Sequence, residues 1–121
     1  MSEKPRYALK HVGINAADEA EALATAQLLC SLFNVEINRD VPNVSYFTDP
    51  LFEIMKYTNE ETRGVHGHIG LQTADVEAAM ADLASKGITF QEDTIKRNAE
   101  GKPTFVYLTQ QVAGFSFHLC L

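Results

Sequence analysis

Four side chains in this sequence have types and spacing that could do chemistry together: His11, Glu53, His68 and His118. Imidazole suits Zn, Ni, Fe and Cu, and a carboxylate adds Mn to the range. Four protein ligands could close a tetrahedral site, or leave two positions open on an octahedral ion, and open positions are what catalysis needs. Each residue alone says little. A histidine on a strand is ordinarily a hydrogen-bonded core or surface residue, and a glutamate in an apolar strand ordinarily faces solvent or pairs with a lysine. What singles these four out is their placement relative to a repeat.

His11 opens HVGINAAD (11–18) and His68 opens HIGLQTAD (68–75), 57 residues later. Each copy reads histidine, β-branched residue, glycine, aliphatic, amide, and ends in Ala-Asp. Around the first copy, YALKHVGINA (7–16) alternates as a strand, and DEAEALATAQLLCSLFN (18–34) has the acidic first turn and Ala/Leu content of a helix. Its expected buried stripe is Leu23, Ala26, Cys30 and Phe33. Three short strands follow, VEIN (35–38), VSYFT (44–48) and LFEIMKY (51–57), with a turn at Asp49-Pro50 and a polar connection over 59–67. The pattern then restarts: strand 68–73, a helix over 75–87 with the stripe Val76, Ala79, Met80 and Leu83 and Gly87 to end it, then strands in ITFQEDTIK, TFVYLTQ and GFSFHLCL. The economical reading is one domain over 1–121 made of two βαβββ modules, about 7–57 and about 67–121. The fold class is α+β, a cup-shaped mixed sheet with the helices outside.

Strand alternation then sorts the side chains. Val12 and Ile14 oppose His11, Gly13 and Asn15; Ile69 and Leu71 oppose His68, Gly70 and Gln72. The apolar face belongs under the helix and the histidine face lines the cup, where glycine leaves room for close approach of a ligand. In the last strand of each module, Phe52 and Ile54 leave Glu53 on the other face, and Phe115, Phe117, Leu119 and Leu121 leave Ser116, His118 and Cys120. Each module thus offers one group at its first strand and one at its last.

Composition narrows the partners. The chain has 121 residues, a net charge of −6 and a pI near 5.1, with no clustered lysines and arginines of the kind phosphate backbones require, so no nucleic-acid partner is expected. No apolar stretch approaches membrane-spanning length, and the opening MSEKPRYALK lacks the apolar core of a secretory signal, so no membrane partner is expected. With two cysteines, Cys30 and Cys120, a reducing cytoplasm is the default setting.

These residues resemble the vicinal oxygen chelate superfamily, which includes glyoxalase I, extradiol dioxygenases and fosfomycin-resistance proteins, over about Leu9 to Leu121. The resemblance implies the glyoxalase-like cup and a divalent metal (Zn, Ni, Mn or Fe) held by His11 from the first strand, Glu53 from the fourth, His68 from the fifth and His118 from the last. It also implies homodimerisation, which exposed edge strands favour too. HVGIN, FEIMK, VHGHIGLQT and GFSFHLCL are similar to the small C-terminal domain fused to some bifunctional ketohydroxyglutarate/ketodeoxyphosphogluconate aldolases. That likeness brings a sugar-acid or 2-oxo-acid context and no aldolase activity, since the barrel with its Schiff-base lysine is absent.

Many glyoxalase-like members carry glutamate at the last position, where His118 stands here. With Glu53 as sole carboxylate a divalent centre keeps a charge of +1, which favours an anionic chelating ligand. The expected function is a metal-dependent lyase or isomerase of glyoxalase type acting on a 2-oxo acid or hemithioacetal through a metal-bound enediolate, with Glu53 as base. Two alternatives stand beside it: an iron-dependent dioxygenase, if one histidine is not a ligand, and a non-catalytic small-molecule-binding or regulatory module. Asn15, Gln72, Tyr46 and Tyr107 are candidates to line the pocket. His66 reads as structural or substrate-proximal, Arg63 as a loop charge or a group that recruits a carboxylate, Cys120 as a small buried apolar residue or a competing ligand, and Cys30 as helix core.

Overall fold

The computed structural model describes residues 4–49, 51–59 and 63–121. The chain runs β1 (Ala8–Asn15), α1 (Glu19–Phe33), β2 (Glu36–Val41), β3 (Ser45–Asp49), β4 (Phe52–Met55), then β5 (Gly67–Gln72), α2 (Val76–Ala84), β6 (Phe90–Arg97), β7 (Pro103–Leu108) and β8 (Phe115–Cys120). This is βαβββ twice. All eight strands join one sheet in the order β2-β3-β4-β1-β5-β8-β7-β6. β1 and β5 pair antiparallel at the centre, each flanked by the last strand of its own module, β4 or β8, running parallel to it. The four strands expected to carry functional groups are therefore the four central ones. Residue 50 of the expected Asp49-Pro50 turn, and residues 60–62 of the expected 59–67 connection, lie outside the described residues.

The repeated Ala-Asp caps the helices. Asp18 accepts a hydrogen bond from the Glu21 amide at 2.8 Å, while Glu21 reaches back to accept from the Ala17 amide at 3.2 Å. Asp75 accepts from the Ala78 amide at 3.0 Å. Each helix covers a separate apolar cluster. Under α1 lie Ala16, Ala22, Ala26, Tyr46 and Ile54, with Leu29, Ile37 and Phe52 beside them. Under α2 lie Val76, Ala79, Val106 and Leu119, with Leu71, Met80 and Leu83 beside them. The α2 stripe is the expected one. That of α1 holds at Ala26, which is buried together with Ala22, and fails at Leu23 and Phe33, which are exposed. Small residues let α1 sit close on the sheet, and its leucines Leu28 and Leu32 face outward, so residue size misled the choice of face.

A register shift between Leu9 and His11 interrupts the β1–β5 pairing. Leu9 pairs with Leu71, which belongs to the α2 cluster, whereas His11 pairs with Gly70, on the opposite face. Residues two apart on an unbroken strand share a face. The irregularity at Lys10 puts His11 on the cup side while Leu9 stays with the helix side.

Candidate functional site

On the face away from the helices, the sheet encloses a cavity of about 640 Å³ that opens to solvent. Its floor brings together all four predicted ligands. Nε2 of His11 lies 3.0 Å from Nε2 of His68 and 3.0 Å from Nε2 of His118. Oε1 of Glu53 lies 2.9 Å from Nε2 of His68 and 3.4 Å from Nε2 of His11. The donor nitrogens of all three histidines fall within 4.8 Å of one another. His68 and His118 are each 2% exposed and Glu53 8%, so the floor is out of bulk water.

Such a convergence is a poor hydrogen-bond network. The single Nε2 of His11 faces two other imidazole nitrogens and a carboxylate oxygen, and one nitrogen carries at most one proton. A cation satisfies all of these atoms at once. Donors bound about 2.1 Å from a common ion lie about 3.0 Å apart across an octahedral edge and about 3.4 Å across a tetrahedral one. The separations of His11 from His68, His118 and Glu53, and of Glu53 from His68, fall in or close to that range, so the residues fit a divalent metal.

Protonation also suits one. Burial lowers the pKa of His11 despite the opposing pull of Glu53. Burial, with the neighbouring His11 and His68, pushes His118 down to about 3. Burial pushes Glu53 upward, but hydrogen bonds from His68 and Ser45 outweigh it and hold the carboxyl below its ordinary value. At neutral pH the two imidazoles are neutral and the carboxylate ionised, the forms that coordinate.

Packing orients the rings. Nδ1 of His68 and Nδ1 of His118 are buried without a hydrogen-bond partner among the described residues, although metal-binding histidines usually donate from that nitrogen to an outer acceptor. Instead, His68 lies flat against Gly13, where a Cβ would come within 2.1 Å of its Nδ1 and Cε1. His118 lies over Gly70, where a Cβ would come within 2.6 Å of its ring, and is walled by Phe105 and Tyr107, with ring centroids at 4.5 and 5.1 Å. The glycines do leave room, as expected, but histidine rings fill it and no space for a ligand remains there. Glu53 is held differently: Ser45 Oγ donates to its Oε2 at 2.7 Å, which leaves Oε1 toward the histidines.

The remaining candidates divide. Tyr107 lines the cavity, as does Arg63, which stacks 4.0 Å over the Tyr107 ring and donates to Gln91 Oε1 at 3.1 Å. Arg63 is thus a wall residue and not a mere loop charge. Tyr46 lies on the other side of the sheet, in the α1 cluster under Lys56. Asn15 donates to the Gly64 carbonyl and Gln72 lies beside the N-terminal segment, both outside the cavity. His66 is exposed against Phe115, and Cys120 directs its thiol to the Leu71 carbonyl. Sequence reasoning missed Ser45 and Phe47. Their signal was available: in an antiparallel hairpin the residues opposite and diagonal to Glu53 share its face, and these are Phe47 and Ser45.

No family model matches the chain, and no curated protein matches its sequence. Solved structures do match. A hypothetical protein from Bacillus halodurans C-125 superposes with a TM-score of 0.64 at 21% identity, covering 94% of this chain and 93% of that one. Methylmalonyl-CoA epimerase from Mycobacterium tuberculosis gives 0.61 at 15%, covering 92% and 85%. A single-substitution variant of its Streptomyces coelicolor counterpart, in complex with 2-nitronate-propionyl-CoA, gives 0.60 at 21%, covering 92% and 94%. At these identities the likeness is one of architecture, and it establishes that the chain has the α+β, glyoxalase-like fold of these epimerases.

Proposed function

We propose that this protein is a divalent-metal-dependent enzyme of the lyase/isomerase type, acting on a small substrate with two adjacent oxygens, such as a 2-oxo acid or a hemithioacetal. The observation that carries this reading is the gathering of three imidazole nitrogens within 4.8 Å of one another on the buried floor of the cup, with the Glu53 carboxylate 2.9 Å from His68 and 3.4 Å from His11. His11, Glu53, His68 and His118 would hold the ion. When bound, the metal supplies Lewis-acid polarisation of a carbonyl, which acidifies the neighbouring C–H. Glu53 is the sole carboxylate on the floor among the described residues, and by detaching from the ion its Oε1 would be the base that takes that proton and returns it to an adjacent atom. Ser45, by anchoring Oε2, keeps the other oxygen directed into the cup. The neutral His11 and His118 add no charge of their own, so the excess positive charge favours an anionic substrate.

Epimerases of this fold have been solved with acyl-CoA ligands, one of them with methylmalonyl-CoA and NH4+. Proton transfer next to a carbonyl is the chemistry that epimerisation at such a carbon requires, which agrees with this reading while leaving the substrate open. The aldolase-domain likeness makes 2-oxo acids the first compounds to try. Homodimerisation belongs to the same proposal. Leu28 and Leu32 are exposed on α1 and β2 and β6 end the sheet, so a second copy has apolar surface and strand edges to cover.

The test is hydrogen exchange. Protein purified without an immobilised-metal column and loaded with Zn, Ni, Mn or Fe(II) is incubated with 2-oxo acids in deuterated water. Loss of the proton signal next to the carbonyl is then followed by NMR. The expected result is metal-dependent exchange that Glu53→Gln abolishes. Metal-loaded protein that catalyses no exchange on any 2-oxo acid or hemithioacetal, or that consumes oxygen instead, overturns the proposal.

A further inference from the structure

One stretch of the cup's wall is apolar where its repeat counterpart carries a charge. Strand pairing sets Val41, Ser45 and Met55 side by side in the first module, and the corresponding row of the second module is Lys96, Phe105 and Cys120. Val41 thus stands where its counterpart is a cation. Val44, in the turn between β2 and β3, donates its amide to the Val41 carbonyl at 3.0 Å and accepts from the Lys56 amide at 2.9 Å, which ties it to the same row. Val41, Val44, Met55 and Tyr57 all line the cavity. The charges beside them in sequence turn away: Asp40 and Lys56 pair with each other on the helix face, next to Tyr46. Arg39 belongs to the next row, where it stacks 5.3 Å from the Phe47 centroid. Burial in the core does not account for this wall. Val44 is 37% exposed and Tyr57 41%, so the fold leaves both wet beside the site. Apolar side chains around a few convergent polar groups are the usual lining of a small-molecule site, and such side chains leave water only when a ligand covers them.

The wall also has a definite place relative to the floor. Met55 stands two residues beyond Glu53 on β4, and its partner across the hairpin is Ser45, the residue that donates to Glu53 at 2.7 Å. The apolar row is therefore the one next to the carboxylate. In the proposed chemistry Glu53 takes a proton from the carbon beside the carbonyl, and in a 2-oxo acid that carbon also carries the rest of the chain. A substrate that presents it to Glu53 brings its chain against this wall. We propose that the substrate is a 2-oxo acid with an uncharged, apolar chain: its adjacent oxygens meet the floor, and the chain lies against Val41, Val44, Met55 and Tyr57. This deepens the floor reading and rests on it.

Calorimetric titration of the zinc-loaded protein with pyruvate, 2-oxobutanoate, 2-oxopentanoate and 2-oxohexanoate tests the idea. The expected result is an affinity that rises about fourfold with each added methylene, the transfer value of a buried CH2 group, so that 2-oxohexanoate binds more than about tenfold tighter than pyruvate. 2-Oxoadipate, which puts a carboxylate where 2-oxohexanoate has its terminal methyl group, should bind more weakly than 2-oxohexanoate. Val44→Asp and Tyr57→Ser, both at partly exposed positions, should each lower the ratio of 2-oxohexanoate to pyruvate affinity by about fivefold, whereas Lys96→Met, in the counterpart row, should leave it within about twofold. Equal, zinc-dependent affinities along the series overturn the apolar-chain proposal and leave the floor reading standing. So do a tighter 2-oxoadipate, a chain-length preference that persists in both Val44→Asp and Tyr57→Ser, and one that is lost in Lys96→Met. Failure of every acid to bind zinc-loaded protein overturns the floor reading for 2-oxo acids together with it.

Discussion

Gly13→Ala is a change of one methyl group, 55 positions in sequence before the histidine it would displace, and the structure predicts that it disables the proposed metal centre. An alanine Cβ at this position falls 2.1 Å from Nδ1 and Cε1 of His68 and 2.7 Å from its Nε2. Non-bonded carbons rest about 3.5 to 4.0 Å apart, so the ring must retreat by more than about 1 Å. It cannot do so and keep Nε2 at 3.0 Å from His11 and 2.9 Å from Glu53, because metal–ligand distances tolerate only about 0.2 Å. The expected loss of zinc affinity is about 100-fold, the upper end of what changes behind a ligand cause. Unfolding of metal-free protein should show a separate overpacking cost of about 1 to 3 kcal/mol. Zinc affinity is read by competition with a chromophoric chelator and stability by urea denaturation. The mechanism predicts strong non-additivity: with His68 already replaced by alanine, Gly13→Ala should cost almost nothing further in either assay, since the ring it collides with is gone. Zinc affinity within twofold of wild type in Gly13→Ala would refute the idea that glycine is the shelf on which His68 rests. Equal costs of Gly13→Ala with and without His68 would refute it as well.

Three further outcomes follow from the same geometry. Metal-free protein should lose stability steadily as pH falls from about 6.5 toward 4. His118, pushed down to about 3, stays neutral in the fold while the unfolded chain takes up protons, so it alone contributes a slope approaching about 1.4 kcal/mol per pH unit, and His11, lowered, adds loss in the same direction. Glu53, lowered below 4.5, adds loss in the same direction at the acid end, and urea denaturation that is flat between pH 7 and 5 would contradict this. Ser45→Ala removes the donor to Glu53 Oε2 and should raise the Glu53 pKa and weaken zinc binding by about tenfold. An unchanged affinity in chelator competition would show that the hydroxyl does not position the carboxylate. Ile54→Ala, at a fully buried site beneath α1, should cost about 2 to 5 kcal/mol, whereas Leu32→Ala, 60% exposed on the same helix, should stay within about 0.5 kcal/mol; similar values in thermal or urea melts would place the α1 face wrongly.

The repeat and the strand period made most of this architecture legible. His11, His68, Glu53 and His118 could be assigned to one face because their neighbours Val12, Ile69, Ile54 and Leu119 demand burial on the other. The period failed where apolar character did not discriminate. In β3, Tyr46 and Phe47 are both aromatic, and only pairing with β4 decides that Phe47 enters the cup while Tyr46 goes beneath α1. In α1, alanine at 22 and 26 outranks leucine at 28 and 32 because close approach to the sheet depends on size, which a hydrophobic stripe does not encode. The irregularity at Lys10 has no local signature, since it belongs to the pairing of β1 with β5. Arg63 read as a loop charge because its partner Tyr107 is far away in sequence.

The two modules are alike in backbone and differ in what they hold. In register, Phe47 stands opposite Glu53 as Tyr107 stands opposite His118, and Ser45 and Phe105 occupy the positions two residues earlier on β3 and β7. Where the last strand carries a carboxylate, the neighbour is a hydroxyl that donates to it at 2.7 Å; where it carries an imidazole, the neighbour is a ring that packs on it at 4.5 Å. Each pairing suits its ligand. An ionised oxygen in a dry site needs a donor, whereas a neutral imidazole with no outer acceptor needs a flat wall. The asymmetry of charge on the floor therefore rests on two pairs of repeat-related positions, 53 with 45 and 118 with 105. Exchanging Glu53 and His118 without their neighbours would bury a carboxylate against Phe105 and leave Ser45 facing an imidazole. Such a double exchange keeps the ligand inventory and should nonetheless bind zinc far more weakly than the same exchange made together with Ser45→Phe and Phe105→Ser, a comparison that separates the composition of the site from its support.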